Sequence, residues 1–262
     1  MPTLVQVMIE VARTMGLVYE GTATGGTTAS LTDTGLEQTA DHYIGGTLWI
    51  LSGDNSGQCV KVKTHDGNTV TFATMSNAIV AGVTYGLASA DYPKWQIKQA
   101  VLDCLRYEET LMKNDTLTVT EDTEVYTLPV GVENIYAIQV AKNESEPYTF
   151  AEHYYWHEYD GSLIFSPGRY PTEEDRIIRL WYLGNHGEIA ESGSIEPTIS
   201  MRWLIWKSIE KLYRRNYVHL VKNAPEQVEL LNEAKENVKH AESMANKYDI
   251  RIGNPQPRLA NY

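Results

Sequence analysis

Apolar residues recur at helical spacing in four separated stretches of this chain, and the stretches between them alternate apolar and polar positions in short runs. From Asp91 to Leu111 the positions Trp95, Ile97, Val101, Leu102, Leu105 and Leu111 mark the inner face of an amphipathic helix. Asp91 suits its cap, and Pro93 suits a first turn, where a missing N–H would have no partner anyway. Thr3 to Met15 carries a similar stripe of Leu4, Val7, Met8, Val11, Ala12 and Met15, with Gly16 placed to end it. Glu196-Pro197 opens a third helix, apolar around most of its circumference through Ile199, Trp203, Leu204, Trp206, Ile209, Leu212, Tyr213 and Tyr217, so it needs cover on more than one side. Pro225 opens a fourth, from Glu226 to about Tyr248, whose narrow seam of Val228, Leu231, Ala234, Val238, Ala241 and Ala245 asks for one partner helix at close approach.

Between Leu17 and Ala90 the chain is punctuated by Gly and Thr. Short β runs at Thr27–Leu31, Thr47–Leu51, Gln58–Val62 and Thr69–Phe72 are separated by Gly25-Gly26, Gly45-Gly46, Gly53-Asp54-Asn55-Ser56-Gly57 and His65-Asp66-Gly67-Asn68. That spacing predicts a small antiparallel barrel or sandwich. A second set, at Thr116–Val119, Glu124–Leu128, Asn134–Val140, Ser162–Ser166 and Asp175–Leu183, predicts another antiparallel sheet of about five strands. The expected fold class is therefore α+β: a helical bundle of about four helices, drawn from residues 1–16, 91–115 and 195–250, carrying two antiparallel β insertions at 17–90 and 116–194. Residues 251–262, with two prolines and no periodicity, read as an extended C-terminal tail.

The 22 Lys and Arg against 34 Asp and Glu leave a formal charge of −12, which argues against general adhesion to nucleic acid. Only Lys61 and Lys63 lie between residues 17 and 90, too few for a nucleic-acid groove. Cys59 and Cys104 fall in strand-like and helical contexts and read as free thiols in a reducing compartment. The apolar start of the chain has no Lys or Arg before it and is broken by Gln6 and Glu10, and no run reaches the ~20 apolar residues of a membrane span. A soluble, non-secreted protein is expected.

Candidate chemistry is sparse. Glu152-His153-Tyr154-Tyr155-Trp156-His157-Glu158 is the densest polar and aromatic cluster, and on a helix His153 and His157 would share a face; the order is not His-Glu-x-x-His and no third ligand is evident. Gly53–Gly57 lacks the length and terminal Glu of a calcium loop and reads as a hairpin turn. Gly21 to Gly26 lacks the Gly-Lys-Ser/Thr step of a phosphate cradle, no Gly-x-Ser-x-Gly elbow occurs, and Glu173-Glu174-Asp175 reads as a solvated turn. Lys211, Arg214 and Arg215, with Tyr213 and Tyr217, form the one basic, aromatic patch, suited to passing DNA or an acidic neighbour, or simply to offsetting a helix dipole. No enzyme, cofactor or metal is expected. Trp49, Tyr154, Tyr155 and Trp156 have faces suited to sugar stacking, which keeps a carbohydrate-binding module as an alternative.

The run from Gly21 to Thr34, the run from Gly45 to Gly57, and Tyr92-Pro93-Lys94-Trp95 leading into a helix together resemble the head-to-tail adaptor, or connector, proteins in the neck of tailed bacteriophages. The resemblance covers most of residues 17–112 and, by helix order alone, 196–250. It implies a non-enzymatic virion component made in the host cytoplasm, a homo-oligomeric ring, generally twelvefold, that joins the portal protein to a neighbouring tail or neck protein and forms part of the DNA channel. It further implies that the tail, through Asn254, Pro255, Gln256, Pro257, Arg258, Leu259 and Tyr262, docks on the portal, and that Lys211, Arg214 and Arg215 meet DNA or a neighbour. A tail-completion or tail-tube-proximal protein is the alternative in the same setting.

Overall fold

The computed structural model describes residues 2–186, 189–190, 193–195 and 199–249. It overturns the expected helical bundle with β insertions. Among the described residues there are 14 strands in three antiparallel sheets and four helices, and two large apolar cores lie in the sheets, beside the buried faces of the helices. The short strands expected as insertions enclose these two cores, because their alternate side chains converge on shared interiors. The chain divides into two compact units that part within one helix, after Cys104.

The first unit takes in residues 1–104, 188–195 and 200–248. Helix α1 (Leu4–Thr14) starts at a capping box in which Thr3 Oγ1 accepts the Gln6 N–H and the Gln6 side chain accepts the Thr3 N–H. Its apolar stripe is fully buried at Leu4, Val7, Met8, Val11 and Ala12. Strands β1 (Val18–Thr22), β2 (Gly25–Gly26), β3 (Ser30–Thr32), β4 (Thr47–Ile50), β5 (Cys59–Asp66), β6 (Thr69–Phe72) and β7 (Thr84–Ala88) form one seven-stranded sheet in the order β1-β7-β4-β5-β6-β3-β2. A register shift in β5 between Val62 and Thr64 bends it from β4 onto β6. The Gly53–Gly57 stretch closes the β4–β5 hairpin, with Gly57 N–H donating to Ile50 O at 2.9 Å.

Helix α2 (Lys94–Tyr107) is shorter than its periodicity implied, since Thr110 already belongs to a strand. Asp91 does not cap it; its carboxylate accepts the Ser89 hydroxyl. The Lys94 N–H instead donates to Thr47 Oγ1 at 2.9 Å, so a buried threonine of β4 satisfies a donor of the first turn. Helix α3 (Met201–Asn223), capped by Ser200, and helix α4 (Val228–Lys247) pair as a hairpin through the expected Ala234, Val238, Ala241 and Ala245 seam.

The second unit is built on residues 105–187. Strands β8 (Thr110–Thr118), β9 (Val125–Thr127), β10 (Ile135–Ala141), β11 (Phe150–His153), β12 (Trp156–Tyr159), β13 (Ser162–Phe165) and β14 (Ile177–Gly184) make two sheets, ordered β11-β10-β14-β8 and β12-β13-β9, where one sheet of about five strands was expected. Val119, Tyr126, Ile138, Leu163, Phe165, Ile178 and Leu180 fill the core. Arg179 on β14 grips Asp115 on β8 through two hydrogen bonds of 2.7 and 2.8 Å, its guanidinium 3.7 Å from the centre of the Phe150 ring.

Candidate functional site

The aromatic cluster of the second unit is not helical. His153 closes β11, Trp156 opens β12, and Tyr154-Tyr155 is the two-residue passage between the unit's two sheets. His153 and His157 therefore sit on separate strands, and among the described residues no three His, Cys, Asp or Glu side chains come together to hold a metal. The passage borders an open surface depression of about 360 Å³ lined by Glu152, His153, Tyr154, Tyr155, Arg169 and Tyr170.

The far wall is set by Ser166-Pro167-Gly168-Arg169. Proline followed by a glycine at φ +69° is the type II turn sequence, and the Arg169 N–H closes the turn on Ser166 O at 2.9 Å. The Ser166 N–H in turn donates to Tyr155 O at 2.9 Å, which ties the turn to the passage. Arg169 is held at two points. Its carbonyl accepts the His153 Nε2–H at 2.7 Å, which fixes that tautomer, and its guanidinium lies 4.1 Å from the centre of the Tyr155 ring. His153 stands edge-on to Phe165, ring centres 4.9 Å apart. Burial pulls the His153 imidazole below its usual range, against the opposing effect of the Arg169 carbonyl, so it is neutral at pH 7.

The acids of the rim are engaged by phenols. Tyr154 donates to Glu152, and Tyr170 donates to Asp122 Oδ1 at 3.4 Å. The negative charge of Asp122 raises the Tyr170 phenol above its ordinary range. The site thus offers exposed aromatic faces at Tyr154 and Tyr155, a guanidinium fork, and carboxylate oxygens with acceptor capacity left over. Arg169 escaped sequence reasoning because it lies sixteen residues from His153; the Pro167-Gly168 turn was the local signal that a side chain would be presented there. Trp49, grouped by sequence with these aromatics, is only 1% exposed in β4 and has no face to offer a sugar.

The basic patch of α3 is interleaved with acids. Glu210, 4% exposed, takes Lys207 at 3.0 Å and Arg214 at 2.6 Å, and Arg214 reaches Glu242 of α4 at 3.3 Å. Burial raises the Glu210 carboxyl, but its hydrogen bonds to Arg214 and Lys207 outweigh that and hold it below the usual carboxylate range. Arg215 pairs with Asp103 of α2 at 2.5 Å, and Lys211, about one turn before the arginines on the helix, is half-buried. A phosphate arriving at this face would compete with carboxylates already in place. Residues Asn254 to Tyr262 lie outside the described residues. No described helix is long and apolar enough to cross a membrane.

The α3–α4 hairpin has a second distinctive region. None of residues 214–233 is buried, so the last ten residues of α3, roughly 15 Å of helix, and the first six of α4 are covered by little beyond one another among the described residues. Val218 (49% exposed), Val221 (45%), Val228 (61%) and Leu230 (45%) stand on this distal part. No family model matches the chain, and no curated protein matches it.

Proposed function

We propose that this chain is a structural virion component, a head-to-tail adaptor that assembles as a ring joining portal to tail. The observation that carries the reading is the distal α3–α4 hairpin, which exposes four large apolar side chains that no described residue buries. Such an element is suited to contact with another subunit, whether a second copy or a neighbouring ring. The Gly- and Thr-rich segments before the Tyr92-Pro93 helix add the likeness to phage neck proteins. In this reading Lys211, Arg214 and Arg215 face a neighbour or passing DNA, and the segment from Asn254 to Tyr262 engages the portal.

The test is imaging of particles and portal-bound assemblies, with the double variant Val221→Asp/Leu230→Asp as the probe. Both side chains are exposed, so the variant keeps the melting temperature of the parent protein within a few degrees. It is expected to lose incorporation beside the portal. A parent protein that never appears there, or a variant that incorporates normally, refutes the reading.

A further inference from the structure

We infer that the depression between the Tyr154-Tyr155 passage and the Pro167-Gly168 turn binds an acidic saccharide, a sugar ring bearing a carboxylate. The argument begins with Arg169. Among the described residues Arg13, Arg176, Arg179, Arg214 and Arg215 each lie within 4 Å of a carboxylate, as expected in a chain of net charge −12. Arg169 is exposed and has no carboxylate at that distance; its guanidinium rests on the Tyr155 ring.

Stacking orients the guanidinium plane and leaves its N–H edges free, and the turn fixes the backbone from which it springs. A fork pre-set in this way matches a carboxylate through two parallel hydrogen bonds. The rest of the lining argues for a sugar in place of a bare anion. Tyr154, 60% exposed, offers a flat face for the C–H side of a pyranose ring. Glu152 in the lining, and Asp122 at the hydroxyl of the lining residue Tyr170, each bound to one phenol, keep lone pairs for sugar hydroxyls. Those same carboxylates repel a compact, multiply charged anion such as phosphate, whereas a sugar places its single charge at one end. The open shape of the depression suits a segment of a longer chain.

The experiment is calorimetric titration of the full chain with trigalacturonate, maltotriose and inorganic phosphate at low and high salt. Trigalacturonate should bind saturably, at least tenfold more tightly than maltotriose or phosphate, and more weakly as salt rises. Arg169→Met should weaken it tenfold or more, Arg169→Lys less, and Tyr154→Ala, which removes an exposed ring and its hydrogen bond to Glu152, should weaken it with the melting temperature within a few degrees of the parent. Absence of saturable trigalacturonate binding overturns the inference, as does equal affinity for maltotriose or phosphate. Unchanged affinity in Tyr154→Ala overturns it too, which keeps it open to refutation should an Arg169 variant fail to fold. The outcome is independent of whether the protein is found beside a portal.

Discussion

Tyr85 donates a 2.7 Å hydrogen bond to Asp33 Oδ2 across 52 residues of sequence, with the phenol fully buried and the carboxylate 5% exposed. The other oxygen, Oδ1, accepts the Gly35 N–H at 2.8 Å. Strand β1 passes over the pair at Gly21, where a Cβ would stand 2.6 Å from both Asp33 Oδ2 and the Tyr85 hydroxyl. Tyr85→Phe removes one donor and leaves a buried carboxylate oxygen without it, so a loss of about 1–3 kcal/mol is expected by denaturant titration. Adding Asp33→Leu to Tyr85→Phe should cost less than the two single losses summed, since neither partner is then orphaned.

The same phenol makes the first unit sensitive to alkali. Burial raises Tyr85 far above the ordinary phenol range, and its hydrogen bond to Asp33 and the Asp33 charge add to that. Burial also raises Tyr19, Tyr43, Tyr92 and Tyr213. These groups keep their protons when folded and lose them above about pH 10 when unfolded, so the folded state binds more protons there and stability falls as pH rises. Unfolding followed by circular dichroism should show stability level below about pH 10 and declining above it, with a shallower decline in Tyr85→Phe.

Acid acts on both units through Glu210 and Asp115. For Asp115, burial works to raise the carboxyl, and the Arg179 hydrogen bonds and charge, aided by Lys113, bring it below the usual range. Both carboxyls are depressed on folding, so their contribution is present above about pH 4 and is lost as pH falls further. Asp115→Asn should flatten the acid limb of the melting-temperature profile and lower stability by about 1–2 kcal/mol at pH 7. An unchanged acid limb would show that the Arg179 pair contributes nothing.

Gly46 tests the close pairing at the head of β4. A Cβ there would stand 2.0 Å from the Ala88 carbonyl oxygen, a backbone atom that cannot swing away. Gly46→Ala should cost several kcal/mol and show up as loss of soluble, cooperatively melting protein. Gly25→Ala, whose Cβ meets nothing within 4 Å, is the matched control and should melt within a few degrees of the parent.

Local order was largely legible. The α1 stripe, the β6 run Thr69–Phe72 and the α4 alanine seam lie within a residue or two of where their periodicity placed them. What failed was weight. Strand β7, Thr-Tyr-Gly-Leu-Ala, escaped notice because Gly86 dilutes its β signal, yet that glycine is needed where the side chains of Val18 and Ile9 press on the strand. Leu111 fits the helical spacing of α2 but pairs with Leu183 of β14, a partner 72 residues away that no local window contains. At the candidate site the tyrosines were visible as a run. Arg169 was not: its turn is local, but the Tyr155 ring and the His153 imidazole that meet it lie 14 and 16 residues away.

The pairing of Thr110 with Gly184 puts the first residue of β8 beside the last of β14, so the whole excursion of seven strands leaves and returns through one doorway. A stretch with that property is translated without interruption and can close its own ladders while the ribosome is still making the helices that follow. The first unit must wait: its opening residues are stitched to a much later segment, with Leu4 N–H on Gly193 O and Ile195 N–H on Pro2 O. Every strand of the second unit is therefore synthesised before the last segments of the first unit emerge.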